Sequence, residues 1–191
     1  GDGTLVSAGS DGELRVYDIE SGVHTHTILA PSPAYGLTAA AEDRLAGIAR
    51  TAEGDRLLVW SLSEARAVYQ GPAFKIASFN LTVAVAAESG RGRLAHGDRS
   101  GRVHLYTPSD DRAYEHAAAM TDHGDFCAVA FLGGTLLTAG QQKPGVARWS
   151  LEPLAGFDRL SLGVPITWVF RWDDTSLLAV ARDGRMQRLM L

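Results

Sequence analysis

Only one cysteine, Cys127, occurs in 191 residues, so an internal disulfide framework is excluded, and a reducing compartment, the cytoplasm, is the expectation. Lysine is nearly as scarce: Lys75 and Lys143 stand alone, and arginine carries the basic charge. The net charge is −4 and the isoelectric point about 5.8. That sum argues against a dedicated nucleic-acid binder, whose domain is ordinarily basic, but it leaves room for a local basic patch. No apolar run approaches the roughly 20 residues a spanning helix needs, and no charged leader followed by an apolar stretch opens the chain. A soluble protein away from membranes is therefore expected. Helical periodicity is missing as well, since the best candidate, AAAED at 39–43, reads as strand and turn. There is no Walker loop, nucleophile elbow or paired-cysteine zinc motif, so no cofactor or metal is implied.

What is present is a repeat. TLVSAGSDGELRVYD (4–18) joins a small-residue strand, a glycine turn and a strand ending in an aromatic. Its echoes are RLAGIARTAEGDRLLVWS (44–61), RLAHGDRSGRVHLYT (93–107), TLLTAGQQKPGVARWS (135–150) and SLLAVARDGRMQRLM (176–190). The closing residues Tyr17, Trp60, Tyr106, Trp149 and Leu189 are separated by 43, 46, 43 and 40 positions. A period of roughly 40 to 45 residues with four strands per unit is the signature of a β-propeller.

Within the first repeat, residues 4–10 and 13–18 alternate around the hairpin signal Asp11-Gly12, and VHTHTILA (23–30) reads as an exposed outer strand. AYGLTAAA (34–41) follows as the small-residue innermost strand of the next blade. Further inner strands are expected near 76–86, 126–131 and 166–172, and outer strands near 65–70, 113–120 and 157–162. The resulting fold class is all-β, a β-propeller of four-stranded antiparallel blades, with 18 strands in about five blades or partial blades. Blade portions fall near 1–30, 31–71, 72–121, 122–163 and 164–191 of one repeat-built unit. The first blade lacks its innermost strand and the last its outer one. The chain opens inside one strand (GDGTLVSAG) and stops inside another (RMQRLML), so a piece of a larger propeller is expected.

SAGSDGELRVYDIESG (7–22) resembles the WD-repeat family in its small residues, Asp-Gly turn, aromatic-Asp strand end and glycine loop. Tyr17-Asp18 stands where that family often has Trp-Asp; the pair decays to Trp60-Ser61, Tyr106-Thr107, Trp149-Ser150 and Leu189-Met190. The resemblance implies a hydrogen-bonded structural set of His, Ser or Thr, and Trp, matched here by His123, Thr138 and Trp149; the usual turn Asp is replaced by QQKPG. It also implies a rigid platform that holds protein or peptide partners on the rim and central opening of one face.

The remaining motifs have plain readings. His24-x-His26 alternates onto one face of a strand, yet two ligands leave a tetrahedral metal site unfilled, so an exposed outer strand is expected. Arg91, Arg93, His96, Arg99, Arg102 and His104 form the densest basic cluster, suited to phosphates or an acidic partner, or to a solvated loop. Gly90-Arg91-Gly92-Arg93-Leu94-Ala95 mimics a dinucleotide fingerprint without the helix that motif requires. Asp110-Asp111 and Asp173-Asp174 are expected to satisfy turn backbone, and the sequon at Asn80 falls on a predicted inner strand. Trp168, Phe170 and Trp172 alternate onto one face, expected to pack between blades, with Arg171 opposite. Where that strand reaches a face of the propeller, Arg171 and Trp172 are anchor candidates, joined by Tyr35, Lys75 and Phe126 at the starts of other inner strands.

The leading expectation is thus a non-catalytic scaffold or sensor module binding a protein or peptide, or the remaining blades of its own parent protein. The rivals are a propeller enzyme with a central-channel site, and phosphate or nucleic-acid binding through Arg91–Arg102.

Overall fold

The computed structural model describes residues 3–41, 43–73, 85–88, 91–98, 101–109, 114–121, 127–140 and 142–190. Every regular element among them is a strand, and the strands form five antiparallel sheets in chain order. Sheet 1 holds β1 (Thr4–Ala8), β2 (Glu13–Asp18) and β3 (His24–Leu29). Sheet 2 holds β4 (Ala34–Ala41), β5 (Arg44–Thr51), β6 (Gly54–Ser61) and β7 (Arg66–Gln70). Sheet 3 holds β8 (Val85–Ala87), β9 (Leu94–Gly97), β10 (Arg102–Pro108) and β11 (Tyr114–Thr121). Sheet 4 holds β12 (Cys127–Leu132), β13 (Thr135–Gly140), β14 (Val146–Leu151) and β15 (Leu154–Leu160). Sheet 5 holds β16 (Ile166–Arg171), β17 (Ser176–Ala181) and β18 (Met186–Met190). The chain divides into two compact units, residues 1–81 with 108–115, and residues 82–107 with 116–191.

One register repeats through all five sheets. The closing residues Tyr17, Trp60, Tyr106, Trp149 and Leu189 each lie directly across from a leucine: Leu5, Leu45, Leu94, Leu136 and Leu177. In the second unit, Leu136 packs toward sheet 3 with Val129, Phe131, Ala95, Val103 and Leu105. The opposite face of sheet 4, with Leu137, Ala139 and Val146, packs on Ile166, Val169, Leu177 and Leu189 of sheet 5. In the first unit, Leu14, Val16 and Ile28 of sheet 1 meet Leu45, Leu58 and Trp60 of sheet 2. Each fully buried branched side chain contributes roughly 1.5 to 3 kcal/mol.

This stacking explains why the middle strands lack polar alternation. β9 and most of β13 are buried residue after residue, whereas β1 and β18 are mostly exposed. Sheet 4, packed on sheet 3 by one face and on sheet 5 by the other, needs apolar or small side chains on both.

The structure departs from the expected boundaries in places. β15 begins at Leu154 and not near 157, because Leu151 already pairs with Leu154 across the two-residue turn at 152–153. Of the inner strand expected at 76–86, only Val85 and Ala86 lie within the described residues. Ile28, on a strand expected to carry few core positions, is fully buried. A bulge opposite the Val16–Tyr17 step separates His24 from His26. The His24 ring lies against Tyr17 at a tilt of 59°, whereas His26 Nε2 is 2.9 Å from the Leu62 carbonyl oxygen, so they do not share a face. Trp168 and Phe170 share a face, as alternation predicts, but only Trp168 packs against the core while Phe170 and Trp172 are exposed; a bulge at Thr167 lets Ile166 and Val169 enter the core together.

Trp60 shows what the register demands. Thr138 lies two residues past Leu136, the residue opposite Trp149; the corresponding place opposite Trp60 is Gly47. A Cβ on Gly47 would lie 2.7 Å from Leu37 Cδ2 and 3.1 Å from the Tyr35 carbonyl oxygen. The Gly47→Ser variant, although it offers the indole a hydroxyl, is therefore expected to lose about 1 to 3 kcal/mol. Urea unfolding checks this, and a stabilised variant would show that the site has room for an acceptor.

Candidate functional site

Antiparallel order puts the turn between the first and second strands of a four-stranded sheet at the same end as the turn between its third and fourth. In the second unit these turns build a shallow cleft of about 320 Å³ between sheets 3 and 4, lined by Arg91, Arg93, Gly133, Gly134, Thr135, Ser150, Leu151 and Glu152. Arg93 is 7% exposed and forks onto Glu88, itself buried, with Nη2 donating to Oε1 at 2.8 Å and Nε donating to Oε2. The Glu88 carboxylate, through these hydrogen bonds, holds the guanidinium above its ordinary pKa. Glu152 accepts from Arg91 and, at 3.2 Å, from Arg93. Two arginines and two carboxylates thus cancel within one network, in which burial of the Arg93–Glu88 pair enforces the geometry.

The matching turn of sheet 5 carries Arg171 and Trp172. Trp172 is 62% exposed, and Arg171 pairs with Asp174. Asp173 accepts from the Thr175 backbone N–H at 2.9 Å and pairs with Arg188. The Thr175 amide is the first cause of its depressed carboxyl pKa. This is the turn chemistry expected of Asp173-Asp174; Asp110-Asp111 and Asn80 lie outside the described residues.

The sequence cluster from Arg91 to Arg102 does not form one patch. Arg91 and Arg93 stand before β9, whereas Arg102 stands beyond it, where its backbone N–H donates to Asp98 Oδ1 at 3.0 Å. Four strand residues, roughly 13 Å, lie between the two ends. Tyr35 is half-buried in β4. Lys75, Arg99, His123 and Phe126 lie outside the described residues. Of the structural set, Trp149 Nε1 donates to Thr138 Oγ1 at 2.9 Å, tying β14 to β13.

Sequence reading missed a polar aromatic cluster in sheet 3. His96 and His104 are directly opposed, with ring centroids 4.6 Å apart. His104 Nε2 lies 3.2 Å from Asp98 Oδ2, and its Nδ1 lies 3.2 Å from His116 Nε2. Tyr106 stands edge-on to both His96 and His116. Full burial pushes the His96 pKa down to about 3, assisted by the charge of His104. Desolvation and then His104 depress His116 as well. The sequence signal was cross-strand, since His96 occupies the place held by Thr138 in sheet 4, and a linear scan does not see strand register.

No family model matches this chain, and no curated protein matches it in sequence. Solved structures do match. A chain of the crystal structure of the mitotic checkpoint complex superposes with a TM-score of 0.78 at 15% identity, covering 99% of this chain and 58% of that one. The WD40 repeats of RRP9 give 0.77 at 18% identity, covering 100% of this chain and 57% of that one. U3-55K gives 0.74 at 18%, covering 100% and 58%. This chain therefore spans less than two thirds of the length of each. With five consecutive antiparallel sheets in a recurring register, it has the β-propeller fold of WD-repeat proteins.

Proposed function

We propose that this chain is a non-catalytic protein-interaction module of the cytoplasm, and that its partner sits on the turn face built from Arg91, Arg93, Arg171 and Trp172. The observation that carries the reading is Trp172, a large aromatic held out at 62% exposure beside Arg171 on a rigid sheet. Aromatic and arginine anchors dominate interface energetics, and turns on a stiff scaffold vary without disturbing the core. The neutralised Arg91–Arg93–Glu88–Glu152 network favours a partner of mixed charge over a phosphate chain, because each cation already has a carboxylate. Protein partners are also the rule for a fold that recurs in assemblies such as the mitotic checkpoint complex.

The test compares capture from cytosolic lysate by the wild-type chain with capture by Trp172→Ala and by Arg171→Ala, followed by titration of the purified captured protein. At least one protein is expected to bind the wild type directly and to lose about tenfold or more in affinity with Trp172→Ala. Direct binders that retain full affinity for both variants would remove this face from consideration.

A further inference from the structure

Glu152 stands in the cleft between sheets 3 and 4 where a ligand would. Both hydrogen bonds that it accepts fall on one oxygen: Oε1 takes Arg91 Nη1 and, at 3.2 Å, Arg93 Nη1. The three side chains are not held alike. Arg93 is 8% exposed, with Nε and Nη2 donating to the buried Glu88, so Nη1 is the edge it turns to the cleft. Arg91 and Glu152 are solvated, at 57% and 66% exposure. A solvated pair of this kind contributes little and exchanges readily, whereas breaking the buried Arg93–Glu88 fork would leave an uncompensated charge. Another wall is the Gly133–Gly134 turn between β12 and β13, where φ is 54° and 78° and a Cβ on Gly133 would meet no described atom within 4 Å.

We propose that Arg91 and Arg93 form a seat for one carboxylate, an Asp or Glu side chain of a protein partner, and that Glu152 is its internal stand-in, displaced on binding. This rests on the turn-face reading above and names the chemistry of its partner. An incoming carboxylate can meet the two guanidiniums with both oxygens where Glu152 uses one, and such two-point pairing is stronger and more directional. The Gly133–Gly134 wall, without side chains, lets the partner's backbone approach closely enough to deliver it.

Charge selects a carboxylate over a phosphate. With Glu152 swung out, two guanidiniums face the one Glu88 carboxylate, a net charge of +1 that a single carboxylate neutralises. A phosphate group, with a charge of about −1.5 to −2 near neutral pH, would leave a negative excess beside the buried Glu88.

Fluorescence anisotropy of a dye-labelled hexaglutamate peptide with the full chain is the test, at about 50 mM salt so that exposed charges are not screened away. Glu152→Gln is expected to bind the peptide about three- to tenfold more tightly than the wild type, and Arg91→Gln in that background to lose the gain. Asp183→Asn and Arg185→Gln make the same changes of net charge within an exposed pair at the β17–β18 turn, and should leave the affinity where it was. Inorganic phosphate at about 1 mM should not displace the peptide from Glu152→Gln. Equal affinity of the wild type and Glu152→Gln overturns the proposal, as does a gain matched by Asp183→Asn or full displacement by phosphate. A captured partner that weakens with Trp172→Ala but ignores Arg91→Gln removes the seat and keeps the face. A hexaglutamate gain with Glu152→Gln, beside partners indifferent to Trp172→Ala and Arg171→Ala, keeps the seat and removes the wider reading.

Discussion

Replacing Trp60 by alanine is expected to remove about 3 to 5 kcal/mol of stability, the range for a fully buried large aromatic. Trp60 has no exposed surface and fills the space among Leu14, Val16 and Ile28 of sheet 1 and Leu45 and Leu58 of its own sheet, so its loss uncouples two sheets at once. Trp60→Phe is expected to be far milder. Trp60 Nε1 is buried and has no hydrogen-bond partner among the described residues. Phenylalanine keeps most of the ring and removes that N–H, whose desolvation penalty is about 1 to 3 kcal/mol, which offsets part of the lost packing. Trp149→Phe runs the other way, because Trp149 is only partly buried but donates to Thr138, a bond with a net contribution of about 1 kcal/mol. Urea unfolding of the three variants checks the order. If Trp60→Ala cost less than about 1 kcal/mol, packing through this residue would not hold sheets 1 and 2 together.

Acid is expected to destabilise the protein well before its carboxylates protonate. His96 is fully buried, and its folded-state pKa of about 3 lies below the ordinary value of 6.5. As pH falls, the unfolded chain takes up this proton first, so the contribution is whole above about 6.5 and is lost progressively down to about 3. The slope approaches 1.4 kcal/mol per pH unit, which amounts to about 2 kcal/mol between pH 6.5 and 4.5. His116, also depressed, adds loss in the same window. The carboxyls of Asp11, Asp18, Asp43, Asp158, Asp173 and Asp183, held below their ordinary 3.8, lose their contribution only at lower pH. Urea midpoints at pH 6.5 and 4.5 for the wild type and His96→Asn make the measurement. The variant should keep only the weaker dependence from His116, and a wild-type midpoint that does not move over this interval contradicts a buried neutral His96.

The two expectations rest on equivalent positions in the repeat with different chemistry. Trp60 and Tyr106 both close a repeat, yet Gly47 stands beside one and His96 beside the other. Glycine admits the Leu37 side chain and the Tyr35 backbone; histidine fills the place with a ring that stands edge-on to Tyr106. Within the candidate site, Arg171 and Trp172 were legible because alternation carries them to a strand end. The Glu88–Arg93–Glu152 network was not, since Glu152 is 59 residues from Arg93 and only the packing of sheets 3 and 4 joins them.

By itself the sequence determined the all-β class, the order of 18 strands in five sheets of three, four, four, four and three, and the spacing of the residues that close each repeat. These are local properties: the period of small residues, the glycine turns and the spacing of the closing residues are all written within about 45 positions. The tertiary structure alone decided which side of each strand is the core. Bulges at Thr25 and Thr167 invert the alternation they interrupt, sending His24 and His26 to different faces and bringing Ile166 and Val169 onto the same buried face. A bulge shifts the two-residue period by one, and that single step depends on how neighbouring sheets pack, which no linear pattern encodes.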